Sequence, residues 1–150
     1  MVQVVAAIIE RDGTILIGQR QPSQSHPLEW EFPGGKVEPG ETPAQALARE
    51  LAEELDIHHA ASELLASYEY TYPEKKPIEI FFLRVRSFQG EPRNLIFHDL
   101  RWVARRDLAS FHFLAGSSTR RHILGPSWAF RGRRHVLTGH LSHRSEPHDA

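Results

Sequence analysis

Residues 34–57 read Gly34-Gly-Lys-Val-Glu-Pro-Gly-Glu-Thr-Pro-Ala-Gln-Ala-Leu-Ala-Arg-Glu-Leu-Ala-Glu-Glu-Leu-Asp-Ile57, a glycine turn running into a well-specified helix. Thr42 fits the N-cap, Pro43 the first helical position, and Gln45 completes a capping box. From there Ala44, Leu47, Ala48, Leu51 and Leu55 follow the three- and four-residue spacing of a core-facing stripe. Glu50, Glu53 and Glu54 gather on another side of the same helix. Carboxylates that close repel one another, so such a cluster persists most easily where cations neutralise it. Oxygen ligands of this kind suit Mg²⁺, with Mn²⁺ possible, and Mg²⁺ commonly shares one or two carboxylates with substrate phosphates. Gly34 and Gly35 let backbone approach an ion or phosphate closely, and Lys36 is placed to offset negative charge. Taken singly, the acidic face reads as a solubilising surface and the glycine turn as an ordinary loop. It is their combination at fixed spacing that carries information.

The rest of the chain supplies a frame. Val2 to Ile9 is an apolar, β-branched run suited to a strand buried on both faces. Arg11-Asp12-Gly13 is a turn, and Thr14 to Gly18 reads as the return strand of a hairpin. Gln21 to Pro27 is a polar loop, and Leu28 to Phe32 alternates as a short strand into Pro33-Gly34-Gly35. Leu64 to Tyr72 and Ile78 to Val85 form a second predicted hairpin about Pro73–Pro77. Gly90 to Asp99 reads as loop, Leu100 to Val103 as a strand bearing Trp102, and Arg106-Asp107-Leu108 as the start of a short helical segment. Ser117 or Ser118 is positioned to cap a final helix through Leu124. From 125 to 150 the periodicity degrades into a basic, His/Arg-rich tail that reads as disordered or loosely docked.

Composition bounds the function. The 150 residues fit one domain of ordinary globular composition, with 40% apolar and 25% charged residues. There is no cysteine, which removes disulfides, thiolate metal sites and a cysteine nucleophile. No apolar run approaches the roughly 20 residues that span a bilayer, and the first residues lack signal-peptide features, so a cytoplasmic location without membrane association is expected. Net charge is −1, divided as −5 over residues 1–118 and +4 over 119–150. That balance argues against dedicated nucleic-acid binding, while the tail could touch polyanions weakly.

The central pattern resembles the Nudix signature G-x5-E-x7-R-E-U-x-E-E-x-G-U, where U is a bulky apolar residue. It runs here through Gly35, Glu41, Arg49, Glu50, Leu51, Glu53, Glu54 and Ile57, with Asp56 at the family's glycine. Asp tolerates a left-handed helix exit better than most residues, and the departure is expected to alter the helix exit and leave the acids in place. The flanking WEFPGGK, the first hairpin and the RWV strand look like the MutT-type branch, and the likeness covers residues 2–124. It implies a mixed-sheet α/β fold, a Nudix-like α/β/α sandwich with a catalytic loop-helix-loop.

It also implies Mg²⁺-dependent attack by water on phosphorus, with Glu50, Glu53, Glu54 and the Gly34 carbonyl holding the ions. Glu53 or Glu50 would take the water's proton, Arg49 would orient the carboxylates, and Glu41 would support Arg49. Arg20, Phe32, Gly34, Gly35 and Lys36 would meet the nucleotide, a (deoxy)nucleoside triphosphate such as 8-oxo-dGTP or CTP, cut to the monophosphate and pyrophosphate. Within the family a dinucleotide or ADP-ribose is the alternative substrate. Outside it the alternatives are a catalytically weak nucleotide-binding regulator and a polyanion binder using the tail. The loop acid usual in MutT-like chains falls at Ile96, with Glu91 and Asp99 nearby, and the asparagine that reads oxidised guanine falls near Ser117.

Overall fold

The computed structural model describes residues 1–114 and, as backbone, the strand 135–140. Two sheets pack on one another and one helix covers the outer face of the larger. The first sheet has the order β5-β1-β7-β6-β9, built from Gly34–Lys36, Val2–Ile8, Ile78–Gln89, His58–Tyr70 and His135–His140. β1 is parallel to β7 and antiparallel to β5, while β6 and β7 form the hairpin expected about residues 73–77, longer than expected because β6 begins at His58 and β7 runs to Gln89. The second sheet centres on β3 (Thr14–Gln19), which pairs β8 (Asp99–Ala104) along one edge. Its other edge pairs β2 (Glu10–Arg11) and β4 (Trp30–Glu31).

The alternation in β1 explains the layering. Ala6 and Ile8 face the second sheet, where they join Ile15, Ile17, Trp30, Phe32, Phe82 and Val103. Val5, Ala7 and Ile9 face the helix α1 (Pro43–Leu55) and meet Leu47, Leu51 and Leu55. Both faces of β1 are therefore buried, as an apolar run without alternation requires. The three leucines are fully buried, each contributing about 1.5–3 kcal/mol through the area removed from water.

Three expectations change. The hairpin partner of β3 is β2, not the whole run from Val2: at Ile9 the chain leaves the first sheet for the second. The buried stripe of α1 is Ala46, Leu47, Leu51, Glu54 and Leu55, whereas Ala44 is exposed and Ala48 half-buried. The helix is rolled toward its acidic side because Glu54 is anchored beneath it. The predicted strand from Leu28 shortens to Trp30–Glu31, and Leu28 is exposed with a positive φ of 61°.

The helical segment after β8 is a 3-10 turn at Arg105–Ser110 that buries Leu108. Among the described residues it is the only other helical piece. The predicted helix up to Leu124 and Ser117 lie outside the described residues, as does most of the tail. Within the tail, β9 pairs parallel with β6 at Ala66–Glu69. No helix among the described residues is long and apolar enough to cross a membrane.

Candidate active site

The helix start forms as its residues dictate. The Thr42 hydroxyl accepts from the Gln45 N–H at 3.1 Å, and the Gln45 side chain accepts from the Thr42 N–H at 2.9 Å. At the other end Asp56 takes the left-handed cap, φ 57° and ψ 33°, the position where the signature has glycine. Its carboxylate meets His58 at 3.0 Å and Arg93 at 3.2 Å, and these partners hold its pKa below the ordinary value. The loop before β8 adds a second cap, with the Arg93 N–H donating to Leu55 O at 2.8 Å and the Leu95 N–H to Glu54 O at 3.1 Å.

Between these ends the glycine turn and the helix interlock. The Gly34 N–H donates to Glu54 Oε1 at 3.1 Å. Gly34 itself has φ 154°, and a Cβ there would stand 1.9 Å from the Val5 carbonyl oxygen. At Gly35 a Cβ would stand 2.4 Å from Glu50 Oε2, so the absent side chain is the space the Glu50 carboxylate fills. Arg49 fastens the loop from the other side. Its Nε and Nη2 donate to both oxygens of Glu41 at 2.7 and 2.9 Å, Nη2 also to the Lys36 carbonyl at 3.0 Å, and Nη1 to Glu50 at 3.1 Å. A planar five-donor fork suits this pattern and an ammonium does not. Arg49, and then the Glu38 N–H, hold the Glu41 carboxyl down at about 2.

The three helix acids are not equivalent. Glu50 and Glu54 turn inward beside the glycines, while the Glu53 side chain is 58% exposed and only loosely paired with Arg49 at 3.5 Å. Burial, followed by a hydrogen bond to the Glu50 carboxyl, pushes Glu54 up to about 9. A carboxylate pair this close shares a proton unless a cation replaces it. The oxygen-only donor set, two inward carboxylates beside a glycine turn, fits a hard divalent ion. Among the described residues no three acidic or histidine side chains converge tightly enough to form a ready-made cage. The set is thus a partial one, of the kind a hard divalent ion completes with water and phosphate oxygens.

The remaining predicted residues separate. Arg20 donates from Nε to Ser25 O at 2.7 Å, from Nη2 to Ser25 Oγ at 3.1 Å and from Nη1 to Glu31 Oε1 at 3.1 Å. Phe32 is 4% exposed and packs against Phe82 and Phe113, which makes it part of the inter-sheet core. Lys36 has an exposed side chain, and its carbonyl serves Arg49. Ile96 is 45% exposed, and its carbonyl accepts from Gln21 at 3.0 Å. Neither nearby acid replaces it: Glu91 pairs with Arg11 at 2.7 Å and Asp99 with Arg101 at 2.9 Å.

Sequence reasoning missed Glu31. Alternation in Leu28–Phe32 sets it opposite Trp30 and Phe32, which reads as the solvent side, yet its side chain is only 21% exposed. Burial raises its pKa, opposed by Arg20. The signal available was an acid placed three residues before the glycine turn.

A glycine turn seated on a capped helix, with Glu50 held by a half-buried arginine fork and Glu54 by the Gly34 N–H, gathers groups suited to a cation and a phosphate. The NUDIX domain family model matches residues 1–124. The 8-oxo-dGTP diphosphatase of Haemophilus influenzae is 40% identical over 114 residues, covering 75% of this chain and 83% of that protein. The CTP pyrophosphohydrolase of Escherichia coli (strain K12) is 55% identical over 69 residues, 46% of this chain and 51% of that protein, so that match spans about half of its length. Among solved structures, the MutT NUDIX hydrolase of Burkholderia pseudomallei superposes with a TM-score of 0.70 at 28% identity, over 78% of this chain and 92% of its own. The chain belongs to the Nudix family. Within it, the chain is a MutT-like hydrolase, a nucleotide pyrophosphohydrolase by class.

Proposed function

We propose that this chain hydrolyses a (deoxy)nucleoside triphosphate to the monophosphate and pyrophosphate, with Mg²⁺ as the divalent ion. The observation that carries the reading is the Gly34–Gly35 turn closed onto Glu54 and Glu50, with Arg49 bonded to Glu41, Glu50 and the Lys36 carbonyl. Nudix hydrolases generally need a divalent metal, and the ion would supply charge neutralisation on the phosphates and activation of water. Glu50 and Glu54 would hold it, with the Gly34 carbonyl alongside. The protein's own part is to keep these carboxylates aligned at the moment of attack. Arg49 does so for Glu50 by a charge-assisted bond, and Glu41 keeps Arg49 from swinging away.

Glu53, exposed and loosely held, is the acid with room to reach a water outside the inward pair and accept its proton. Phe32 would contribute as a wall behind the nucleotide, Lys36 as a mobile cation near its phosphates, and Arg20 as a contact above it. The named activities of the relatives, 8-oxo-dGTP and CTP hydrolysis, make those two nucleotides the first to test. The site's placement on a 1–124 Nudix domain and a cytoplasmic location belong to the same reading.

A screen of triphosphates, dinucleotides and ADP-ribose with and without Mg²⁺ decides among them. The reading requires metal-dependent release of pyrophosphate from at least one triphosphate. Preference for ADP-ribose or a dinucleotide would move the chain to another Nudix specificity. Nucleotide binding without turnover would make it a regulator.

A further inference from the structure

Arg20 and Glu31 form a pair that neither the signature nor the helix explains. They face the site. In the register of β3 against β4, Gly18 stands opposite Glu31, and directly opposed residues of an antiparallel pair project to the same face. On that face the place of the Gly18 side chain is taken by the Phe97 ring, 2.5 Å from where a Cβ would be. Phe97 belongs to the loop whose Leu95 N–H binds the Glu54 carbonyl and whose Ile96 carbonyl is held by Gln21, the neighbour of Arg20. From the other direction, Gly34, three residues after Glu31, donates to the Glu54 carboxylate. Glu31, close enough to Glu54 to act on its charge, and Arg20 paired to it thus share the side of the inward acids, with side chains only 21% and 16% exposed.

The guanidinium there is fixed and only partly used. It carries five N–H donors, of which one on each of Nε, Nη1 and Nη2 is engaged by Ser25 O, Glu31 and Ser25 Oγ. Two donors, one on each terminal nitrogen, have no partner among the described residues. We propose that Glu31 is a positioning residue for the reaction: it holds Arg20 in the one rotamer that presents those two remaining N–H groups to an oxyanion of the substrate. The inference rests on the nucleotide reading above and gives it a residue outside the signature. Ser25 alone would hold the guanidinium through neutral acceptors on a loop. Glu31 adds the charged anchor on a strand, with the ion pair shielded from water. A held arginine binds a phosphate without the entropy loss of immobilising a free one.

The test is a double-mutant cycle on Arg20 and Glu31 in the full chain, with Mg²⁺ and whichever of CTP or 8-oxo-dGTP the wild type turns over best. Glu31→Gln is expected to raise KM about tenfold with kcat changed less than about threefold, the mark of binding lost equally from ground and transition states. Glu31→Asp, which retains the charge, recovers at least part of that loss. In an Arg20→Ala background Glu31→Gln adds less than about twofold, because its partner is gone. A Glu31→Gln effect of undiminished size without Arg20, or one confined to kcat, overturns the proposal. If Glu31→Gln lowers the melting temperature enough to cloud its kinetics, the Asp variant and Arg20→Lys carry the same comparison. A wild-type chain that turns over no triphosphate overturns the proposed function instead. The cycle is then read on the Kd of inorganic pyrophosphate with Mg²⁺, where non-additivity still supports the pairing and additivity still refutes it.

Discussion

Gly34 and Gly35 are adjacent, yet what each excludes differs. An alanine at 34 would drive its methyl into the Val5 carbonyl at a backbone angle that side chains rarely adopt. Backbone cannot move aside cheaply, so Gly34→Ala is expected to destabilise the fold by about 3 kcal/mol or more, seen as a lower urea midpoint. At 35 the methyl meets only the end of the Glu50 side chain, which can swing away. Gly35→Ala is therefore expected to fold with a nearly normal melting temperature and to lose about 100-fold in kcat/KM through a displaced carboxylate.

The same scale sets the pH behaviour. Glu54 has its carboxyl raised from 4.5 to about 9 in the metal-free fold. A raised folded-state pKa stabilises at low pH, so this contribution is complete below 4.5 and is lost as pH rises through about 9. Mg²⁺ bound through Glu54 must displace the proton, so its affinity is expected to rise with pH, by up to about tenfold per unit, until that value is passed. Thermal melts from pH 5 to 9 should show the metal-free protein losing stability and Mg²⁺ restoring more of it at the alkaline end. Glu41 works oppositely: its pKa is lowered to about 2, and the stability it gives above 4.5 is lost as pH falls through about 2. A metal response that does not change with pH would contradict the assignment of Glu54.

At the scale of the element, α1 was legible almost in full. Thr42, Pro43 and Gln45 state the start chemically, and the structure realises each contact. Thr42→Ala is expected to cost about 1 kcal/mol, measured by denaturant unfolding, with little change in KM. What the periodicity could not give was the roll of the helix. Ala44 and Ala46 are equally apolar, and only tertiary packing, with Ala46 in the helix-side core and Glu54 bonded to the Gly34 N–H, distinguishes them. The exit was less legible: the departure at Asp56 was expected to alter it, yet Asp56 takes the left-handed cap, a geometry that Asp tolerates better than most residues. Asp56→Gly is expected to change stability by less than about 1 kcal/mol, since easier backbone geometry is offset by lost contacts to His58 and Arg93. Calorimetric melts of the two proteins check this.

Across the whole molecule, hydrophobic pattern located strands better than it assigned them to sheets. Val2–Ile9 and Thr14–Gly18 read as one hairpin because the Arg11-Asp12-Gly13 turn lies between them. The chain instead changes sheets at Ile9, so that β1 can bury both faces. Glu31 escaped the sequence reading for a related reason. Alternation distinguishes two faces of a strand but cannot tell that the polar one is covered, here by the loop that seats Phe97 against Gly18. The box was legible because its chemistry is local to one loop and one helix. The walls around it come from residues distant in sequence, and so does specificity.

The central claim is that the inward pair and the exposed Glu53 together make a metal-dependent pyrophosphohydrolase site. Product analysis with Mg²⁺ and CTP or 8-oxo-dGTP, comparing wild type with Glu53→Gln and Glu54→Gln, tests it most directly. The expected result is nucleoside monophosphate and pyrophosphate from the wild type, and a loss of about 100-fold or more in kcat for each variant at unchanged fold. Release of orthophosphate, turnover that survives chelation of the metal, or variants as fast as wild type would contradict it.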